Sequence, residues 1–361
     1  MPLTRRAFAG GLALLRGAGA ATRPRTPAEV TVYPDPATEL PVTRLTNPAH
    51  ASFLASRSTH ASPPNGAFLL YSSDRTGTAQ AFRMDLKTGE SEQLSDAAAL
   101  VSETLCLTPK GQDVCFFDGA WLCRVGLSNL RSRRLYEIPP GWALERHFAV
   151  SPDGRRAAFV ERRGTTFRLR LLALGGGHAT TVVEAPVPLG GPLFRPRSDS
   201  ILYRQGERAL WLVSLNGRRN VQLKPAPGGV GEFHWSRDGR AFLYLSFPEE
   251  RRSLNSIREY VPEENADRLV APTSQFAAFS PNGNGSVFVG ASSNKASPHL
   301  LLVMRSTRRE LTLCEHRASD PSAVAPIFSR DSQQVFFQSD MHGRPAIYGM
   351  RVDRLVEKTE T

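Results

Sequence analysis

One short pattern recurs seven times along the 361-residue chain and constrains its fold more than any other feature. In each copy, a tight turn of the Asp-Gly or Asn-Gly type separates two apolar runs, and such turns supply the positive φ that a hairpin requires. Clear copies are Asp153-Gly154, Asp238-Gly239, Asn282-Gly283 and Asp331-Ser332, and looser ones are Asn65-Gly66, Lys110-Gly111 and Ser198-Asp199. Counted from these positions, the intervals run from 40 (198 to 238) to 49 (282 to 331) residues, a period typical of propeller blades.

A second hairpin follows nearly every turn, which gives four short strands per unit. The 29 Gly and 27 Pro also favour many turns. We therefore predict an all-β, seven-bladed propeller over residues 38–354, followed by a tail at 355–361. The last unit lacks a clear fourth strand, so we expect residues 42–46 to close the ring by pairing with the last blade, which would hide the sheet edges. An open solenoid or two sandwiches are the alternatives.

The charge of +11 excludes few partners by itself, because 40 of the 45 basic residues are Arg, a bias that a GC-rich genome also produces. Five of these arginines precede the first acidic residue, Glu29, and the rest are spread without a block of like charge. This distribution argues against a nucleic-acid partner. No apolar stretch of about 20 residues occurs beyond the N-terminus, so we expect no integral membrane segment in the mature chain.

The N-terminal residues have the features of an export signal. Arg5-Arg6 precedes a weakly apolar run and then small residues, which predicts a twin-arginine signal peptide at 1–21. Residues 22–37, rich in Pro and Thr, are predicted to form a linker. The expected location is periplasmic or secreted, and an uncleaved tail is the alternative.

The four cysteines do not form a disulfide framework or a C-x-x-C zinc motif. Cys115 and Cys123 flank the turn at Asp118-Gly119, so either a disulfide between them or free buried thiols fits the sequence. The sequence contains no paired-histidine zinc motif, no nucleophile elbow and no Gly-rich phosphate loop. No two of the eight histidines lie within five residues of each other.

The repeats resemble the β-propeller motif of TolB-like proteins and, more closely, the oligogalacturonate lyase family, whose members cleave pectin fragments. The resemblance covers roughly residues 38–352. It is carried by five stretches in a fixed order, at 42–46, 85–89, 138–142, 189–196 and 337–348. It implies a seven-bladed propeller and lyase chemistry: a divalent cation such as manganese, held by several His and a Gln, binds the substrate carboxylate, an Arg removes the neighbouring proton, and β-elimination follows.

At the positions that the family uses for metal binding, this chain has different residues. The family's His-Pro-His-Pro aligns with 323–326, where Ala323 and Ala325 replace both imidazoles, and a further His is replaced at Gly191. Ser274 is followed by Gln275 where the family has His, and a single amide does not make a transition-metal site. We therefore predict no metal site.

The residues that this alignment leaves for catalysis are both displaced from the family positions. Arg208 lies one place from the aligned position, Ala209, and a shift of one residue on a strand reverses the side chain's face. The family's His-Glu-Phe becomes Gly231-Glu232-Phe233, with His234 next in sequence. Carboxylates are bound by Arg side chains. The substrate-binding candidates are Arg44, Gln275, Arg195 and Arg344.

Two functions remain open from the sequence. The first is an exported member of the lyase family that handles pectin-derived oligogalacturonides, either by β-elimination or by binding alone. The second is a non-catalytic TolB-like propeller that serves as an interaction scaffold in the cell envelope. The expected partner is accordingly an acidic oligosaccharide or an envelope protein.

Overall fold

The computed structural model describes residues 24–56, 61–250 and 253–359, so the predicted signal peptide lies outside the described residues. Within these ranges, thirty β-strands form seven antiparallel sheets, and the only other regular elements are 3-10 turns at Ser102–Thr104 and Pro321–Val324. This part of the chain contains no helix with the length and apolar character needed to span a bilayer. The predicted all-β, seven-bladed propeller is confirmed.

The strands follow one another blade by blade, and within each blade they run from the axis outward. The N-terminal segment contributes β1 (Arg25–Thr26), β2 (Thr31–Pro34) and β3 (Pro41–Arg44). Blade 1 continues with β4 (Ser52–Leu54), β5 (Phe68–Ser73), β6 (Gln80–Asp85) and β7 (Ser91–Gln93). Blade 2 contains β8 (Cys106–Leu107), β9 (Asp113–Asp118), β10 (Trp121–Gly126) and β11 (Ser132–Glu137). Blade 3 contains β12 (Ala143–Val150), β13 (Arg156–Arg163), β14 (Thr166–Ala173) and β15 (Thr180–Ala185).

The remaining four blades repeat this arrangement. Blade 4 contains β16 (Leu189–Phe194), β17 (Ser200–Gln205), β18 (Ala209–Ser214) and β19 (Asn220–Gln222). Blade 5 contains β20 (Gly229–Trp235), β21 (Phe242–Phe247), β22 (Ser256–Val261) and β23 (Ala266–Pro272). Blade 6 contains β24 (Phe276–Pro281), β25 (Val287–Ser292), β26 (His299–Met304) and β27 (Glu310–Glu315). Blade 7 contains β28 (Ile327–Phe328), β29 (Gln334–Ser339) and β30 (Ala346–Arg351) from its own repeat.

The N-terminal segment closes the ring, as predicted. Strand β3 pairs with β30, with Thr43 opposite Gly349 and Arg44 opposite Tyr348, and supplies the fourth strand of blade 7. The described part of the segment predicted as a linker also forms strands: β2 adds to β3, and β1 adds to β7 at the outer edge of blade 1. The same segment therefore pairs with both blades that meet at the seam.

The C-terminal residues also pack against the ring. Val356 and Thr359 are buried, and the Thr359 N–H donates to the Asp331 carbonyl oxygen (3.1 Å) at the turn of the last blade. Residues 355–359 therefore cover the propeller rather than extend away from it.

The repeated turns join the innermost strand of each blade to the second strand. Gly154 (φ +70°) and Gly239 (φ +72°) adopt the left-handed conformation that the Asp-Gly pattern predicts. In blades 4 and 6 the positive φ falls at Arg197 (+55°) and Gly285 (+69°), which are neighbours of the predicted positions. The pattern therefore locates the turns to within two residues.

The hydrophobic core lies mainly between neighbouring blades. In one example, Phe117 of blade 2 meets Phe148 and Phe159 of blade 3 edge-on, with ring centroids 5.9 and 5.3 Å apart. Each apolar side chain buried in this way contributes roughly 1.5–3 kcal/mol. Packing between blades holds the inner strands at fixed positions around the axis.

The pairing of blade 2 decides between the two alternatives for its cysteines. Cys115 lies opposite Arg124, and Cys123 lies opposite Phe116, so the two thiols point to opposite faces of the sheet. They are buried free thiols, and burial raises the pKa of Cys123 to about 11. A disulfide between these two residues is excluded by this register.

Candidate functional site

A cavity of about 880 Å³ lies on the propeller axis and is lined by residues from all seven blades. We call it the funnel. Its polar side chains come from blades 1, 2, 3, 4, 5 and 7, and they are Ser56, Ser102, Glu103, His147, Arg204, Glu232, His234, Ser322 and Gln338.

Bulges in the inner strands decide which side chains reach the funnel. In blades 3 to 6 the pairing of the innermost strand with the second strand shifts, after Leu144, Gly190, Val230 and Phe276 respectively. An inserted residue re-aims the side chains around it. The cavity-lining residues at or beside these shifts are His147 in blade 3, Gly191 in blade 4, Gly231 and Glu232 in blade 5, and Ala277 in blade 6.

Arg204 brings a positive charge to the funnel wall. It lies on β17, directly opposite Gly190, and its side chain is part of the cavity lining. Its Nη2 donates to the Gly231 carbonyl oxygen of blade 5 (2.6 Å). Burial lowers the pKa of Arg204, but an Arg remains charged at neutral pH. Among the described residues, Arg204 forms no ion pair, so its charge is available to an anionic ligand.

His147 lies beside Arg204 and is open to the cavity. A methyl group on Gly190 would lie 2.8 Å from His147 Nε2, so the imidazole packs directly on the glycine backbone. The pKa of His147 lies below its usual value, mainly because the surrounding protein shields the ring from water. The charge of Arg204 lowers this pKa further, and the charge of Glu145 partly opposes the shift. The ring is therefore neutral near pH 7 and can accept a proton.

His234, predicted as catalytic, does line the funnel. Its Nε2 donates to the Phe279 carbonyl oxygen (3.1 Å), and its ring meets the Phe279 ring edge-on at 5.2 Å. Glu232, next to it on the wall, accepts from the Phe279 N–H (3.0 Å). Both side chains thus hold the inner strands of blades 5 and 6 together at the cavity.

The other predicted catalytic residue, Arg208, lies outside the funnel. It is in the turn between β17 and β18, mostly exposed, and its Nη1 is 2.8 Å from Glu249 Oε1 on the neighbouring blade. Arg344 forms the same kind of link between blades 7 and 1, with its Nη2 2.5 Å from Asp74 Oδ2. These ion pairs join connecting segments of neighbouring blades. Neither guanidinium is part of the cavity lining.

Three further predicted substrate-binding residues are also absent from the cavity lining. Arg195 joins blades 4 and 5 through the Gly239 carbonyl oxygen (2.7 Å) and Glu263 (2.6 Å). Arg44 lies on the seam strand and donates to Thr31 Oγ1 (3.2 Å). Gln275 precedes β24 with φ +57°, and its backbone carbonyl accepts from the Ser293 N–H (2.8 Å).

Arg204 and His147, which line the cavity, were not among the residues predicted from the sequence. The available signal was the pair Gly190-Gly191 inside a predicted strand, since glycine there marks a bulge or a close approach of other groups. The neighbouring blade is needed to interpret that local signal, because His147 of β12 fills the space at Gly190, while Arg204 lies opposite Gly190 on β17.

These observations define a class of protein: a seven-bladed β-propeller with an axial cavity that is lined by apolar side chains and isolated polar ones, Arg204 among them. No family model matches the sequence. The chain is similar to the oligogalacturonide lyase of Pectobacterium atrosepticum, with 23% identity over 383 residues that cover 91% of this chain and 97% of that protein. It is 22% identical to the oligogalacturonate lyase of Dickeya dadantii, over 89% of this chain and 95% of that one.

A solved structure of an oligogalacturonate lyase in complex with manganese has a TM-score of 0.86 to this chain, with 24% identity, and the match covers 92% of this chain and 98% of that one. The resemblance to oligogalacturonate lyases inferred from the sequence motifs is therefore confirmed over nearly the whole chain. At this identity, the structural match establishes the fold.

The funnel residues that the structure describes do not fit a manganese ion. The described residues contain no group of three or more His, Cys, Asp or Glu able to hold a metal. Ala323 and Ala325 present methyl groups to the funnel, and the spaces beside Gly191 and Gly231 are taken by the rings of Phe233 and Phe247. The funnel is thus lined mostly by apolar groups, and its polar groups are isolated from one another. Such a lining suits neither Mn²⁺ nor Zn²⁺.

The amide of Gln338 is already engaged within the protein. Its Oε1 accepts from the Leu54 N–H (2.9 Å), and its Nε2 donates to the Ala323 carbonyl oxygen (2.7 Å). This side chain fastens blade 7 to blade 1 at the cavity wall.

Proposed function

We propose that this chain is an exported protein that binds pectin-derived oligogalacturonides in the funnel and cleaves them by β-elimination. The observation that carries the proposal is Arg204: a guanidinium on the wall of an axial cavity, in a chain similar along nearly its full length to two oligogalacturonide lyases. Arg is well suited to binding a sugar carboxylate, because its planar fork donates two parallel hydrogen bonds.

The cavity also has a suitable size. Its volume of about 880 Å³ lies within the range of small-molecule sites. Apolar surface from Phe53, Leu193, Phe233 and Phe247 supplies faces against which a sugar ring can pack. Export is supported by the N-terminal sequence, Arg5-Arg6 followed by an apolar run and small residues.

Calorimetric titration with trigalacturonate tests binding, and the fully methyl-esterified trisaccharide is the matched control because esterification removes the charge of each carboxylate and adds only a methyl group. We expect affinity for the acid and much weaker affinity for the ester. Formation of the unsaturated C4–C5 product, followed by its ultraviolet absorbance, tests cleavage. Equal affinity for the two ligands, together with capture of an envelope protein, would instead favour the scaffold function.

A further inference from the structure

We infer that the funnel handles its uronate ligand without a divalent cation: Arg204 receives the carboxylate, and His147 accepts the proton from the adjacent carbon. This inference rests on the proposed function and adds to it the groups that replace the metal. It starts from the disagreement between a fold that matches a manganese-containing lyase and a cavity whose described residues include no metal-binding cluster.

Arg204 is held in place before any ligand arrives. One of its five N–H donors is used by the Gly231 carbonyl oxygen (2.6 Å), which fixes the guanidinium between blades 4 and 5. The remaining donors include a pair suited to a carboxylate. A fixed positive charge beside a carboxylate also stabilises the negative charge that develops when the neighbouring carbon loses its proton, the role that a cation would otherwise have.

The funnel carries acidic groups as well, but the protein engages them. Glu232 accepts from the Phe279 N–H (3.0 Å), and Glu103 also interacts within the protein. Arg204 therefore differs from the other charged groups of the wall: it makes one backbone hydrogen bond, lies 5.9 Å from the centre of the Phe233 ring and forms no ion pair among the described residues. An incoming carboxylate meets its complementary charge at this point of the cavity.

His147 lies close to Arg204 in the funnel wall, because its imidazole packs on Gly190, the residue paired with Arg204 across β16 and β17, and the charge of Arg204 acts on it. A ligand whose carboxylate contacts Arg204 thus has its C5 within reach of the imidazole. In the elimination, an imidazole nitrogen takes the C5 proton and the C5–H electron pair forms the C4–C5 double bond. The C4–O4 bond breaks with its electron pair on oxygen, and the leaving oxygen then takes a proton from the imidazolium or from water. No oxidant, reductant or cofactor is required.

The first experiment measures trigalacturonate affinity by calorimetry in excess chelator and again with added Mn²⁺. We expect the same affinity in both buffers. Arg204→Gln should weaken binding roughly ten- to hundredfold, the usual loss for a hydrogen-bonded charge pair. The matched control is Arg268→Gln, since Arg268 lies on the outermost strand of blade 5, outside the cavity lining, and forms an exposed ion pair with Glu264.

Each outcome of this experiment is decisive. Binding by the wild type only after Mn²⁺ is added, or unchanged binding by Arg204→Gln, overturns the inference while leaving the proposed function intact. Absence of oligogalacturonide binding in both buffers overturns the proposed function itself. If Arg204→Gln fails to fold, the wild type in chelator still decides, because equal affinity for the acid and its methyl ester would rule out a guanidinium–carboxylate contact.

The second experiment separates binding from proton removal. His147→Gln should keep trigalacturonate affinity within about twofold and lower kcat by about 10²- to 10⁴-fold. His178→Gln, in an exposed loop of the same blade, is the control. The assigned role of His147 is wrong if kcat falls no further than in the control, if affinity falls in parallel with kcat, or if the wild type binds in chelator without forming product.

Discussion

At the scale of single residues, the molecule depends on positions where backbone from two blades meets without a side chain between them. Gly239, in the turn of blade 5, is such a position. Its φ is +72°, and a methyl group there would lie 2.2 Å from the Pro196 carbonyl oxygen of blade 4. Arg195 Nε adds a hydrogen bond to the Gly239 carbonyl oxygen (2.7 Å), so this turn ties the two blades.

Replacing Gly239 with Ala should therefore lower the free energy of unfolding by more than the conformational cost of the left-handed backbone alone. Left-handed backbone costs an alanine about 1–2 kcal/mol, and displacement of the Pro196 backbone adds to that. The matched control is Gly206→Ala, because Gly206 has φ +67° with nothing within 4 Å of the added carbon. Denaturant unfolding of both variants measures the difference, and equal losses would show that the contact with blade 4 has no energetic weight.

His316 gives a second prediction at this scale, on how the stability of the fold depends on pH. His316 is fully buried, its Nε2 donates to the Ser292 carbonyl oxygen (2.9 Å), and its Nδ1 accepts from the Ala318 N–H (3.2 Å). This pattern requires the neutral ring, and burial lowers the pKa of His316. Above the unfolded pKa of about 6.5, both states are neutral and His316 adds no pH dependence. Below it, the unfolded chain takes up the proton first, so stability falls with pH until the folded pKa is reached.

Free energies of unfolding measured between about pH 7 and pH 5 test this sign. His316→Gln should be less stable at pH 7, because it loses buried hydrogen bonds, yet show a shallower decline on acidification than the wild type. His178→Gln should keep the wild-type decline, since His178 is exposed. A wild-type slope retained by His316→Gln would assign the acid sensitivity to other groups.

At the scale of strands, the N-terminal segment offers a direct comparison of two valines. Val42 in β3 is 1% exposed and belongs to the core shared by blades 6 and 7, whereas Val32 in β2 is 61% exposed. Val42→Ala should cost roughly 1–3 kcal/mol, from two buried methyl groups and the space they leave. Val32→Ala should change stability by less than about 0.5 kcal/mol. Thermal or denaturant unfolding measures the stability of the two variants. Similar losses would mean that Val42 of β3 is not packed in the core between blades 6 and 7.

The same strands show what the sequence could and could not predict. The seven turns and the seam strand were predictable, because turn chemistry and apolar runs are local and repeat with a fixed period. Strands β1 and β2 were not, because residues 25–26 and 31–34 become strands only by pairing with edges that the closed ring provides. The funnel side chains were predicted least well. Their direction depends on bulges in the inner strands, and a shift of one residue moves a side chain to the other face.

Arginine illustrates the same limit. The sequence contains 40 arginines, and the family alignment singled out Arg208, beside the aligned Ala209, while Arg204 was not among the candidates. The fold places Arg208 in an exposed turn and Arg204 on the cavity wall, four residues apart along one hairpin. A one-dimensional alignment does not distinguish the two environments, because the difference arises from the neighbouring blade: its Glu249 pairs with Arg208, and its Gly231 backbone fixes Arg204.

At the scale of the whole molecule, stability depends on closing the ring at a single seam. The N-terminal segment pairs with blade 1 through β1 and with blade 7 through β2 and β3, and Gln338 links the same two blades beside the funnel. Consecutive repeats are joined covalently, whereas the ring closes within blade 7 by pairing between strands from the start and the end of the described chain. The strand that closes the seam therefore also preserves the funnel, whose lining comes from all seven blades.

A deletion pair tests whether closure supports both stability and binding. The variant that starts at Pro24 keeps every described strand and should unfold like the full chain. The variant that starts at Asn47 lacks β1 to β3, exposes β30 as an unpaired edge and uncovers the apolar core around Tyr348, so it should unfold at lower denaturant and self-associate. Size-exclusion chromatography and unfolding curves report both effects, and trigalacturonate titration reports the funnel. If the shorter variant stays monomeric with unchanged stability, the seam strand is dispensable. In a further test, residues 24–46 are added back to the shorter variant as a separate peptide. The peptide pairs with outer strands of blades 1 and 7, so it affects the funnel by closing the ring. If it restores stability and ligand binding together, the ring and its cavity form one cooperative unit.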